Sequence, residues 1–286
     1  FPLTFPNIAE VTMYSCFHSV GLPKQTLLQV IEMAADAGYQ AIEINCETLP
    51  WSQPHMTPAT GQAERLQADR ACRSRGLTIP AIGAHIKMVS QDPELRKAAV
   101  DFVNGCTDIA VDMNSPIVHI LSGPADDGVD QKEAWKWFRS AVEETADYAD
   151  RKGKVLAIEA IVGHVFNKVD DYHQMRRELP GVPFRVNFDP SHLIVQNEDP
   201  MRVVNELGDQ IVHVHLKDGR GQSPKFEFPP LGKGGIDFGA LYGGLLKAGY
   251  RGALSVEYEA QVFGYQLSDQ EILSEGKTFI DKLANR

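Results

Sequence analysis

Phe184-Arg185-Val186-Asn187-Phe188-Asp189-Pro190-Ser191-His192 reads as a short strand that ends on a carboxylate and, three residues later, on an imidazole. Successive side chains of an extended chain alternate, so Asn187 and Asp189 share one face while Val186 and Phe188 share the other. Pro190 cannot donate to a sheet ladder and stops the strand there. Taken alone, Asp-Pro-Ser-His is ordinary turn chemistry with a capped helix behind it. The stretch becomes decisive because the same arrangement recurs: a strand ending on an acid or a histidine, then an amphipathic helix.

Working outward, the sequence offers strands near residues 10–16, 41–45, 79–84, 116–120, 155–159, 184–188, 211–216 and 253–258. Helical patterns follow near 24–37, 63–75, from 92, 131–152, 169–178, 199–207, 237–248 and 268–284. Units of roughly 25 to 40 residues that alternate strand and helix imply a parallel sheet. Eight of them predict an α/β fold, a (β/α)8 TIM barrel forming a single domain over residues 1–286, whose active site lies at the C-terminal ends of the strands.

Composition narrows the function classes. With 43% hydrophobic and 23% charged residues the chain has the make-up of a soluble globular protein. Its apolar runs fall short of the roughly 20 residues of a membrane span, so no membrane partner is expected. A net charge of -10 opposes nucleic-acid binding, which relies on basic patches. Cys16, Cys46, Cys72 and Cys106 lack the spacing of a zinc knuckle, and FPLTFPNIAE lacks the features of a secretory leader. The expectation is a cytoplasmic protein with reduced cysteines. Helix 131–152 carries Trp135, Trp137 and Phe138 on adjoining faces, which predicts a homo-oligomer, a dimer or tetramer, with a hetero-oligomer as the alternative.

The strand ends carry the chemistry. Glu159, Asp189, His215 and Glu257 come from four consecutive predicted strands. With neighbours about 4.8 Å apart, these side chains converge near the mouth of the barrel. Three carboxylates so close repel one another unless a cation compensates them. Carboxylates with one imidazole suit one hard divalent metal: Mn²⁺ first, with Mg²⁺ or Co²⁺ as alternatives.

At these residues the chain resembles the xylose-isomerase-like sugar isomerase and epimerase barrels. The matching segments are LAIEA with Glu159, NFDPSH with Asp189 and His192, HVHLKD with His215, and LGKGGIDF followed by LSVEYE with Glu257. The resemblance implies that Glu159, Asp189, His215 and Glu257 hold one metal and that Glu159 and Glu257 are the catalytic acid/base pair. It implies a small sugar substrate, a ketose or keto-sugar, that loses its α-proton to form a metal-stabilised enediolate. Epimerases and isomerases work in this way. The family also holds inosose dehydratases and enzymes that cleave oxidised C-glycosides, so a lyase or dehydratase is the alternative.

His192 is expected to act beside the metal, the competing reading being a helix cap. His85, His119, His164, Lys217 and Arg220 are candidate substrate-binding residues, with Trp51 and His55 of the long loop 47–62 behind them. Lone strand histidines are more often satisfied core residues, and Lys217 and Arg220 could be solvated. His213, one layer below His215, reads as a packed interior histidine, and Glu259 competes with Glu257. Gly232-Lys233-Gly234-Gly235 reads as a turn without phosphate-loop spacing. An apurinic-site endonuclease, which shares the barrel, needs an Asp-x-His pair where this chain has Phe226-Glu227-Phe228-Pro229.

Overall fold

The computed structural model describes residues 13–285. The barrel strands are β1 (Tyr14–His18), β2 (Ala41–Asn45), β3 (Ala81–Gly83), β4 (Ile117–Ile120), β5 (Val155–Glu159), β6 (Phe184–Phe188) and β7 (Ile211–Leu216). A short hairpin, β8 (Arg220–Gln222) and β9 (Lys225–Glu227), precedes the last barrel strand, β10 (Ala253–Val256). The parallel barrel closes in the order β1-β10-β7-β6-β5-β4-β3-β2. Around it run α1 (Leu27–Asp36), α2 (Gln62–Ser74), α3 (Pro93–Asp112), α4 (Gln131–Arg151), α5 (Val169–Glu178), α6 (Pro190–Ile194), α7 (Met201–Leu207), α8 (Phe238–Lys247) and α9 (Asp269–Ala284).

Local chemistry sets the helix starts. Thr26 with Gln29 and Ser268 with Glu271 form capping boxes, and Asp92 caps α3 just before Pro93. The strands then divide their residues between two environments. Ile42, Ile44, Val118, Ile120, Leu156, Ile158, Val186, Phe188, Val214 and Leu216 join the apolar layer between sheet and helices. The alternate positions form separate small clusters, Cys16 with Ala41 and Ala253, and Ala81 with Ile117 and Ala157. Continuing along the same faces come Glu43, His119, His213, His215 and Ser255, all buried. Branched apolar side chains usually fill a barrel interior. Here acids and imidazoles take their place.

Two sequence expectations change, and a third lies partly outside the described residues. The first strand was expected over 10–16; residues 10–12 lie outside those described, and β1 runs from Tyr14 to His18. The segment 217–235 was read as a loop; it contains β8 and β9, whose three-residue strands are too short and too exposed for a period to show. The aromatic residues of α4 find partners inside the chain. Trp135 stacks on Phe166 at 6.0 Å, Phe138 meets the same ring at 5.7 Å, and Arg96 covers Trp137 at 4.7 Å. Those rings therefore supply no argument for a subunit interface.

The return from β9 to α8 is fixed by Asp218. Its buried carboxylate accepts backbone N–H bonds from Gly219, Gly232, Gly234 and Ile236. A Cβ on Gly234 would stand 2.1 Å from Asp218 Oδ1, so only glycine lets the chain come so close. The Gly232-Lys233-Gly234-Gly235 turn is thus a cradle for a side chain of its own protein.

Candidate metal and active site

Glu159 ends β5, Asp189 follows β6, His215 lies near the end of β7 and Glu257 follows β10. One ligand atom from each of the four falls within 4.8 Å of the other three. Since β6 and β7 separate β5 from β10, Glu159 and Glu257 approach this point from opposite sides, with Asp189 and His215 between them. All four are buried. His215 Nδ1 lies 3.4 Å from Glu159 and 3.5 Å from Glu257, and among the described residues it has no hydrogen-bond partner. A buried nitrogen left without a partner and ringed by carboxylates fits a cation ligand.

The groups of the cluster shift one another's charge. Burial raises the Asp189 carboxyl to about 7, against the pull of Lys217 and with the push of Glu159 and Glu257. Burial opposes charge on His215 too, yet Glu257, Glu43 and Glu159 together push its pKa well above the usual histidine range. Glu159 and Glu257 are held well below the usual carboxylate range: burial works against their charge and is outweighed, for Glu159 by His215 and His85, for Glu257 by His215, Lys217 and His18.

Lys217 places a further cation against the cluster. Its buried ammonium lies 3.0 Å from Asp189, 3.0 Å from Glu259 and 3.2 Å from His192 Nε2, and it also contacts Glu257. His192 lies 3.5 Å from Asp189 and 3.9 Å from Glu159. Phe228, just beyond β9, roofs this corner, with its ring 5.0 Å from the His192 ring and 5.0 Å from Lys217 Nζ. A narrow cleft opens beside Lys217, Phe228, Glu257 and Glu259.

The other candidates divide. His85 joins the cluster, with Nε2 3.1 Å from Glu159; burial disfavours its charge, but Glu159 and Glu47 raise its pKa to about 10. His119 lies one layer lower, bonded to Glu43 and, at 2.8 Å, to His85, and burial takes its pKa down to about 3. His213 also lies in that lower layer, 2.8 Å from Glu43. His164 is half-buried in the loop after β5, with its pKa lowered to about 4 by burial. His55 is tied to the Gln25 carbonyl at 3.2 Å. Arg220 stays out on the hairpin, paired with Glu227 and 3.0 Å from Tyr265. The structure therefore does not bring Arg220 to the cluster, because Glu227, opposite it across β8 and β9, claims its guanidinium.

Two acids and a histidine escaped the sequence reading. Glu43, in the middle of β2, accepts from His119, His213, His215 and Ser255. His18, ending β1, holds Glu257 at 3.0 Å, and Glu47 stands 3.5 Å from His85. For Glu43, a charge between Ile42 and Ile44 of β2 was the available sign.

A family model of the xylose isomerase-like TIM barrel matches residues 31–283. The chain belongs to that family. Fructoselysine 3-epimerase of Escherichia coli O157:H7 is 24% identical over 255 residues, covering 86% of this chain and 88% of the relative. The inosose dehydratase of Lacticaseibacillus casei is 25% identical over 161 residues, which is 49% of this chain and 54% of that enzyme. Among solved structures, the IOLI protein with a bound zinc atom superposes with a TM-score of 0.80 over 96% of this chain and 98% of that one, at 16% identity. This last likeness is one of fold.

Proposed function

We propose that the chain is a divalent-metal-dependent sugar epimerase or isomerase acting on a ketose or keto-sugar, with Glu159 and Glu257 as its acid/base pair. The observation that carries this reading is the convergence of Glu159, Asp189, His215 and Glu257 around a partnerless His215 Nδ1. The protein is an enzyme of the isomerase/epimerase or lyase kind, as the names of its relatives indicate. Three carboxylates and one imidazole favour manganese, then magnesium or cobalt. Held there, the cation supplies a Lewis acid for the carbonyl and the adjacent hydroxyl of the sugar.

Glu159 and Glu257, with two strands between theirs, flank whatever lies between them, which suits removal of an α-proton on one side and its return on the other. Lys217 supplies N–H donors to substrate oxygens, and Phe228 excludes water from above. The second reading, a dehydratase or lyase, is favoured by the Lys217 ammonium beside Glu257, which could protonate a departing hydroxyl.

The test is to load the purified protein with Mn²⁺, measure bound metal, and follow candidate keto-sugars in D₂O. One metal per chain and α-carbon exchange with inversion are expected. Exchange with loss of a hydroxyl instead selects the lyase, and failure to take up metal sinks both readings.

Metal uptake should also release protons. His215, with its pKa well above the usual range, and Asp189, at about 7, must both lose a proton to become ligands. Affinity should thus rise between about pH 6 and 8, by up to about tenfold per pH unit for each proton released. Calorimetry in two buffers of different ionisation enthalpy counts those protons; an affinity flat across this range would contradict the assignment.

A further inference from the structure

Glu43 is a fully buried charge that the proposed chemistry does not use. Its Oε1 faces His119 Nε2 and, at 3.1 Å, His215 Nε2; its Oε2 faces His213 Nε2 at 2.8 Å and Ser255 Oγ. An ionised carboxylate accepts about four hydrogen bonds, two at each oxygen, and four donors are present. A hydroxyl and three imidazoles can serve it together only if each ring turns an Nε2–H toward it. Room for these rings is left by Gly83, where a Cβ would come within 3.2 Å of His119 Cε1 and 3.5 Å of His18 Nε2. Atoms of Glu43, His213 and His215 also lie close enough to hold a metal. The hydroxyl of Ser255 and the filled acceptor capacity of Glu43 favour hydrogen bonding over a metal in this cluster. Two further groups stand at its edge, His18 Nε2 at 3.6 Å from Glu43 and Asn187 Nδ2 at 3.5 Å from His215 Nε2.

The consequence falls on His215. With Nε2 donating downward to Glu43, its other nitrogen faces upward between Glu159 and Glu257. We propose that Glu43 is a positioning residue, which fixes His215 as its Nε2–H form and aims the Nδ1 lone pair at the space bounded by Glu159, Asp189 and Glu257. This inference rests on the metal reading above. It extends that reading by a carboxylate–histidine pair reaching from the centre of β2 to the cation, across the barrel interior.

The test uses Zn²⁺ as a diamagnetic probe and observes the His215 imidazole by ¹H–¹⁵N NMR in the loaded wild-type protein. Nδ1 should be metal-bound and Nε2 should carry a proton protected from exchange. In Glu43→Gln that protection should disappear, and Zn²⁺ affinity measured by calorimetry should fall about 10- to 100-fold. Glu43→Asp should recover part of the loss, and Ser255→Ala should stay within about threefold of wild type. If Glu43→Gln does not fold, the wild-type spectrum still decides. Zinc bound through Nε2, unchanged affinity in a folded Glu43→Gln, or a second metal lost with Glu43 overturns this inference alone. A wild-type protein that takes up no zinc overturns the metal reading and takes this inference with it.

Discussion

Asp189→Asn is expected to lower divalent-metal affinity by at least about 100-fold, because it removes a charged ligand from the middle of the cluster. The substitution keeps a side-chain oxygen that can accept from Ser191 N, as Asp189 Oδ1 does at 2.7 Å, so the start of α6 survives. Stability should respond in opposite directions with and without metal. Burial raises the Asp189 carboxyl to about 7, Lys217 opposing and Glu159 and Glu257 reinforcing. A folded-state pKa above the unfolded value favours the neutral acid, so this contribution is present below about pH 4 and is lost as pH rises through about 7. Metal-free wild type and Asp189→Asn should therefore unfold alike only below about pH 4. Near pH 8 the variant should be the more stable of the two. Added Mn²⁺ should act the other way, stabilising the wild type by about 2.7 kcal/mol at about 100 times its Kd and leaving the variant nearly unchanged. Denaturant unfolding with chelator and with Mn²⁺ measures both arms. Equal stabilisation of wild type and variant by Mn²⁺ would remove Asp189 from the ligand set.

The parts of the site that could be read from the sequence are those that end a strand. Glu159, Asp189, His215 and Glu257 each close a period-2 pattern, and a barrel maps such ends to one mouth whatever the separation along the chain. The same reasoning misses Glu43. It lies within β2, and its partners His119, His213 and Ser255 are 76, 170 and 212 residues away. Only the closed order of strands shows that they share an interior. His119 stayed open between substrate contact and core for the same reason, since a histidine on β4 can point to the mouth or to the layer below, and the depth depends on barrel shear. Arg220 was drawn toward the site by its closeness to Lys217 in sequence, but the turn after Gln222 folds Glu227 back against it. The indoles of α4 suggested a partner chain because Phe166 and Arg96, which cover them, lie on other elements.

Glu159→Gln and Glu257→Gln should each lower kcat by about 10²- to 10⁴-fold, the usual range for loss of a general acid or base. Glutamine keeps an oxygen toward the cation but cannot accept the α-proton, so metal content should be measured first and activity compared at full loading. The two carboxylates are held differently. Glu159 Oε2 takes the amide of Asn187 at 3.1 Å and lies 3.1 Å from His85, whereas Glu257 is held by His18 at 3.0 Å and by Lys217. With β6 and β7 between their strands they meet the substrate from two sides, and each should serve one epimer. Glu159→Gln should then stop solvent deuterium exchange into one epimer while leaving part of the exchange into the other, and Glu257→Gln should show the opposite preference. NMR of each pure epimer in D₂O separates the two. If both metal-loaded variants lose exchange equally with both epimers, a single base serves the reaction and the second carboxylate is only a ligand. If either keeps kcat within about tenfold of wild type, that residue is no part of the proton transfer.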